Sequence, residues 1–268
     1  MKRFTCILPI HNRITLNFAK RSLDSIVNQT LPANEILVYY DGIVNKDVDE
    51  YVKTCANNNR NVKQIGNSKN EGLGQALNRA LHYTKYDHVV RMDADDFSLP
   101  NRFEQLIRFY HDENLDLCGS YITEVVQNAR HVRKVPLIYK DLQKIGMFRT
   151  PMNHVSVVMN RNLVNKVGGY KTCFYAEDWY LWLRIFNVSK RVQNIPISLV
   201  DVDVDGYQRR SGLKTLSYDL KYLNKFFREG LIPLHWHVFN ILTRICTRIL
   251  PRSAVAMCYK NLLRSKGE

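Results

Sequence analysis

The sequence predicts an α/β fold with a mostly parallel central sheet flanked by helices, followed by a basic amphipathic helical tail. Three observations predict it. Apolar runs of strand length alternate with stretches whose apolar residues recur at helical spacing. Those runs are apolar on both faces, the pattern of parallel strands covered on both sides. The charge is uneven: of a net +14, the segment from Gly206 to Glu268, with twelve Lys and Arg against three acids, carries +9.

The elements follow in order. Phe4 to Ile10 predicts a buried strand, and Leu16 to Val27 a helix. Ile36 to Tyr40 is a second strand, Val48 to Ala56 a second helix, Val62 to Ile65 a third strand and Leu73 to Leu81 a third helix. His88 to Met92 is a fourth strand, after which Pro100, suited to a first helical turn, opens a helix to about His111. Beyond Leu115 the pattern loosens. Leu117 to Val126 and His131 to Val135 predict a hairpin, and His154 to Met159 a strand. Asn162 to Val167 is a short helix stopped by Gly168-Gly169, Asp178 to Phe186 an aromatic-rich helix and Ile195 to Val204 a further strand. Charge and periodicity change near Gly212, which divides the chain into a domain over 1–212 and a tail over 213–268.

Composition bounds the function. Hydrophobic residues at 45% and charged residues at 24% describe a globular chain with a substantial core. The basic excess points to an anionic partner: nucleic acid, a phosphorylated substrate or an anionic membrane. Six cysteines without CxxC spacing read as reduced thiols. The apolar run after Met1-Lys2-Arg3 ends at Pro9 and His11, too short for a signal peptide, and no run approaches the ~18 apolar residues of a membrane span. A cytoplasmic protein is expected.

In parallel sheets ligands bind at the carboxyl ends of the strands. The first strand ends Pro9-Ile10-His11-Asn12, the second Tyr40-Asp41-Gly42, and the fourth Arg91-Met92-Asp93-Ala94-Asp95-Asp96. Neighbouring strands one, two and four would bring these groups into one crevice. Three carboxylates within four residues repel one another unless a cation sits among them, and Asp93 and Asp95 can offer oxygens to one hard divalent ion. The alternative is a solvated acidic turn capping the helix after Pro100. Asn67 to Gly74 is either an ordinary turn or a loop that brings backbone N–H groups to a phosphate. Glu177 and Asp178 either cap their helix or place a general base over a substrate, with Trp179 as an apolar wall.

In this order the segments resemble the family 2 glycosyltransferases, which have the GT-A fold. The likeness covers roughly residues 3 to 211. It rests on Cys6 to Arg13, Glu35 to Gly42, Asn70 to Ala80, Val90 to Arg102 with its DxD segment, Pro151 to Tyr170, and Ala176 to Arg184. The combination looks most like bacterial transferases that build O-antigen, capsule or exopolysaccharide. The resemblance implies that Pro9, His11 and Asn12 line a nucleotide pocket, and that Asp41 hydrogen-bonds the base, typically uracil. It implies that Asn70, Gly72 and Asn78 shape the ribose and phosphate side, and that Arg91 and Asp93 contact the donor. Asp95 and Asp96, with Asp93, would hold Mn²⁺ or Mg²⁺ on the diphosphate of a UDP-sugar. Asp178 would be the general base with Glu177 beside it, His154 would face the acceptor, and the reaction would invert the anomeric centre. The chain departs from the pattern at His11, where Tyr is more usual, and at Tyr180, often an acid.

In the tail, Leu234, Val238, Ile241, Leu242, Ile245 and Ile249 repeat at helical spacing with Arg244 and Arg248 beside another face. After Pro251 a second segment carries Val255, Cys258, Tyr259, Leu262 and Leu263 among Lys260, Arg264 and Lys266. Basic amphipathic helices with Trp236 near the start suit an anionic membrane surface, and a lipid-linked saccharide acceptor would require one. Packing of the helix on the domain is the alternative. Two other functions compete. A nucleotidyltransferase would carry a glycine-rich basic loop after the first strand, where His11-Asn12-Arg13 has no glycine. A non-catalytic nucleic-acid or membrane binder would interleave basic residues with stacking aromatics. The tail's aromatics read as core or lipid contacts, so no nucleic acid is expected.

Overall fold

A computed structural model of the chain describes residues 2–127, 129–173, 175–204 and 212–249. Its contacts divide the chain into two units, Met1–Thr172 with Ala176–Gly206, and Cys173–Tyr175 with Tyr207–Glu268.

The first unit begins with four strands in parallel register. β1 (Phe4–His11) is paired along its length with β2 (Glu35–Asp41), from Thr5 opposite Glu35 to His11 opposite Asp41. β3 (Val62–Asn67) flanks β2, and β4 (His88–Arg91) flanks the other side of β1. Helices α1 (Leu16–Val27), α2 (Lys46–Asn58), α3 (Leu73–Tyr83) and α4 (Arg102–Asp112) connect or follow them. The two-sided apolarity of β1 has a direct cause. Cys6, Leu8 and Ile10 enter a core with Leu23, Val52 and Phe103, while Ile7 on the opposite face enters another with Leu37, Leu77 and Trp182.

The second half of the sheet is mixed. β5 (Phe97–Ser98), β6 (Leu117–Val126), β7 (Ala129–Arg133), β8 (Val158–Asn160) and β9 (Val192–Asp203) complete the order β3-β2-β1-β4-β8-β6-β9-β5, with β7 paired to β6. β8 runs antiparallel to both neighbours, and β9 is parallel to β6 through two register shifts. Helices α5 (Tyr139–Gly146), α6 (Arg161–Lys166) and α7 (Glu177–Phe186) complete the unit.

The strand expected over His154 to Met159 is shorter. His154–Ser156 is a 3-10 turn, because Ser156 Oγ donates to the Asn153 carbonyl at 2.8 Å and Asn153 Nδ2 to the Ser120 carbonyl at 2.9 Å. Pro100 precedes α4, since its carbonyl accepts from Thr30 N at 2.9 Å and the amide of Leu99 donates to Leu199. β5 and α5 were not legible in the apolar pattern.

In the second unit α8 (Leu213–Arg228) buries Leu216, Tyr222, Leu223 and Phe226, and α9 (Leu234–Ile249) lies against it. The faces of α9 are the reverse of a basic helix laid apolar side inward. Arg248 Nε donates to Asp219 of α8 at 2.8 Å and the His237 ring stacks on Phe227, whereas Leu234, Val238, Phe239 and Leu242 are exposed. The second tail segment, from Pro251 through Val255, Cys258, Tyr259, Lys260, Leu262, Leu263, Arg264 and Lys266, lies outside the described residues. Among those described, no helix is long and apolar enough to cross a membrane.

Candidate functional site

The site begins where β1, β2 and β4 end. Pro9 is buried within β1, His11 closes it, and Asn12 is exposed in the following turn. Asp41, last in β2, is buried, and its carboxylate accepts from the amides of Glu71 at 2.7 Å and Gly72 at 3.0 Å. The Asn70 side chain returns a bond to the Asp41 carbonyl at 3.0 Å. Glycine is required at both contacts of this loop. Gly42 has φ +95° with Asn70 within 3.1 Å of where a Cβ would stand, and Gly72, at φ +86°, leads into α3. Asp41 therefore organises the loop that follows β3 from the end of β2.

After β4 the chain brings Asp93, Asp95 and Asp96 together, with ligand oxygens within 4.8 Å of one another. Burial, then the neighbouring charge of Asp93, pushes the Asp95 carboxyl up, and the same causes carry Asp96 to about 8. Crowded carboxylates that disfavour their own ionisation fit a hard divalent cation, which would relieve the repulsion. Arg91 pairs with Asp93, and its own Nε is buried without a partner. Beneath the cluster Arg102 is fully buried, donating to the Arg91 carbonyl at 2.6 Å and the Val155 carbonyl at 2.8 Å. Burial lowers its pKa to about 10, so it stays charged at neutral pH.

The start of α7 supplies a second group of carboxylates. Burial pushes Asp178 up, partly opposed by the Trp179 amide and by the Thr150 hydroxyl, which donates to Asp178 Oδ2 at 3.1 Å. Glu177 is also raised by burial, and its carboxylate meets the start of α3, 3.2 Å from where a Cβ on Gly74 would stand. The field of Arg91 reaches both groups: it favours ionised Asp95 and Asp96, and ionised Asp178.

Two expected ligand contacts are engaged inside the protein. The Asn78 side chain grips the backbone of Tyr170 through two bonds of 2.7 Å, and the buried Trp179 indole donates to the Gly146 carbonyl at 2.7 Å. His154 bonds the Tyr170 hydroxyl at 2.8 Å, and burial followed by the Arg91 charge holds its pKa well below the usual histidine value. It is neutral at physiological pH. Thr150, Tyr170 and Arg102 belong to the site and were not singled out from the sequence; only the position of Arg102 after the acidic run hinted at it.

Known proteins share this architecture. The Glycosyl transferase family 2 model matches residues 5–168. An Escherichia coli UDP-Gal:alpha-D-GlcNAc-diphosphoundecaprenol beta-1,3-galactosyltransferase is 30% identical, over 98% of this chain and 97% of its own length. The amylovoran biosynthesis glycosyltransferase AmsE of Erwinia amylovora is 30% identical over 96% and 98%. Residues 1–349 of Staphylococcus aureus TarS in complex with UDP-GlcNAc share the fold at a TM-score of 0.64 and 16% identity, covering 99% of this chain and 74% of that one. The Pyrobaculum calidifontis mannosyltransferase PcManGT with GDP-Man and Mn²⁺ does so at 0.63 and 17%, covering 100% and 81%. The matched model takes in the strand ends and the acidic run, and the relatives align along nearly the whole chain: the protein belongs to glycosyl transferase family 2 and has the GT-A fold.

Proposed function

We propose that the chain transfers a hexose or N-acetylhexosamine from a UDP-sugar to a lipid-linked, polyprenyl-diphosphate saccharide, inverting the anomeric centre, in assembly of a bacterial surface polysaccharide. The observation that carries this reading is the cluster of Asp93, Asp95 and Asp96, their ligand oxygens within 4.8 Å of one another, with Arg91 paired to Asp93. Two groups of carboxylates about one guanidinium suit a donor diphosphate on one side and an attacking hydroxyl on the other. The Escherichia coli relative, named for UDP-Gal and a diphosphoundecaprenol acceptor, supports the substrates.

In this mechanism Pro9, His11 and Asn12 border the base, and Asp41 holds the Asn70–Gly72 loop against the nucleotide. Asp93, Asp95 and Asp96 would hold Mn²⁺ or Mg²⁺, which supplies charge neutralisation at the leaving diphosphate. Arg91 adds a fixed positive charge to the same oxygens. Asp178 takes the proton of the acceptor hydroxyl, aided by the burial that raises its proton affinity. One base and direct displacement suffice for inversion. Residues 1–212 would carry the chemistry. The exposed Leu234, Val238, Phe239 and Leu242 of α9 would rest on the cytoplasmic face of the membrane within a tail over 213–268.

The test is a panel of UDP-sugars incubated with Mn²⁺ and a lipid-diphosphate saccharide. One donor releases UDP, and Asp95→Ala abolishes the release. UDP release from no sugar, or full release by the variant, refutes the assignment.

A further inference from the structure

The two carboxylates that open α7 have different partners. Asp178 accepts from the Thr150 hydroxyl, whereas Glu177 turns to the start of α3. A Cβ built on Gly74 would stand 3.2 Å from Glu177 Cδ, 3.2 Å from its Oε2 and 3.4 Å from its Oε1. The whole carboxylate therefore lies against the first turn of that helix, in the space a side chain at position 74 would take. The first amides of a helix have no carbonyl partner within it, and the helix dipole draws negative charge to that end. α3 supplies neither need from its own first turn: its N-cap is Gly72, without a side-chain cap, and no acid follows. The Gly74 amide in turn favours ionised Glu177 against burial and against the charge of Asp178.

One turn further along the same face, α3 carries Asn78. Its side chain bonds the amide and the carbonyl of Tyr170 at 2.7 Å each. At Gly169, with φ +65°, a Cβ would stand 2.5 Å from Asn78 Oδ1. Positions 74 and 78 thus fasten two points of the chain, 169–170 and 177. Beneath them Ala76 and Leu77 of α3 share a core with Leu181 and Trp182 of α7. Just before the helix, Asp41 accepts the amides of Glu71 and Gly72. Two carboxylates from distant parts of the chain, Asp41 and Glu177, therefore share the start of α3.

We propose that Glu177 is a positioning residue: its carboxylate docks α7 on the first turn of α3 and so fixes Asp178 relative to the loop that Asp41 organises. The inference rests on the reading of Asp178 as the base, and deepens it by giving the neighbouring acid a separate task. Adjacent carboxylates repel each other. Drawing one of them to a helix start leaves the other to the acceptor hydroxyl. Asp41 and Glu177 also take up the positive end that a phosphate would need at α3, which leaves the donor diphosphate to Arg91 and the acidic cluster.

The experiment uses the full chain with the donor and acceptor that support transfer. Glu177→Ala lowers kcat about 10- to 100-fold, the scale of a misplaced catalytic group. The KM for UDP-sugar stays near its wild-type value. Glu177→Gln, whose amide oxygen can still accept from the Gly74 amide, recovers most of the loss. Wild-type kcat in Glu177→Ala overturns the proposal. So does a loss in Glu177→Gln as large as in Glu177→Ala, which would place the charge itself at the reacting atoms. Gly74→Ala, a change to the better helix former, keeps the fold and pushes the carboxylate away, so kcat falls in the same sense. Combined with Glu177→Ala it adds nothing further, and additive losses overturn the coupling. Amide hydrogen exchange on the free protein separates this proposal from the transferase reading. Exchange at Gly74 is faster in Glu177→Ala and restored in Glu177→Gln. If the wild type transfers from no donor while exchange follows this pattern, the reading of Asp178 falls and the docking contact stands. Transfer with no difference in exchange overturns the docking.

Discussion

Residues 4–112 and residues 113–204 build the two sides of the site by different means. In the first stretch His11, Asp41 and the run from Arg91 to Asp96 lie at, or within five residues of, the ends of the parallel strands β1, β2 and β4. In the second, groups are held by side chains distant in sequence. Thr150 reaches Asp178 across 28 residues, the Trp179 indole reaches Gly146 across 33, and Asn78 fixes Tyr170 across 92. The proposed donor side is set by sheet topology and the proposed acceptor side by long-range polar contacts. Substitutions on the two sides should therefore separate donor binding from acceptor chemistry.

The largest effect is expected at Asp178, the proposed base. Asp178→Asn keeps size and the bond from Thr150 but removes proton acceptance, so kcat should fall by about 10²- to 10⁴-fold. UDP binding, measured by calorimetry, should be unchanged. A matching loss of UDP affinity would break the separation, because it would place Asp178 on the donor side.

Asp41→Ala acts on the other side and more moderately. It leaves the amides of Glu71 and Gly72 without their acceptor in a partly buried loop. Each such loss costs about 1–3 kcal/mol. Urea unfolding should report a loss of that order, and UDP affinity should fall with it while the KM for the acceptor holds. Full stability in the variant would show that water replaces the carboxylate and that the loop does not depend on β2.

The contrast also explains what the sequence could show. β1 to β4 were legible because a strand buried on both faces must be apolar throughout, and the acidic run stands out directly after one. The 3-10 turn at His154 was not, since the Asn153 and Ser156 hydrogen bonds that bend the chain depend on β6 being alongside. α5 buries only Leu142 and Gly146, too few apolar positions to mark a period. Asn78 and Trp179 carry residue types that suit a ligand or an internal bond equally, and only coordinates show which bonds they form. In the tail, helical spacing located α9 but could not say which face α8 would cover.

The smallest effect sharpens the acceptor side. A base must be ionised to act, so if Asp178 has the proposed role, activity should decline as pH falls through its pKa. Burial raises that pKa, so the acid limb of kcat should lie above the ordinary aspartate value of about 3.9. His154 could be mistaken for the source of such a limb, since free histidine titrates near 6.5. Its pKa is held well below that by burial and by Arg91, which leaves it neutral over the working range, bonded to the Tyr170 hydroxyl. His154→Gln preserves a polar group able to reach that hydroxyl, so kcat should change only a few-fold and the limb should keep its midpoint. A pH–rate profile of the two proteins decides it. If the limb disappears in His154→Gln, the titrating group is the histidine, and Asp178 loses its claim to the proton.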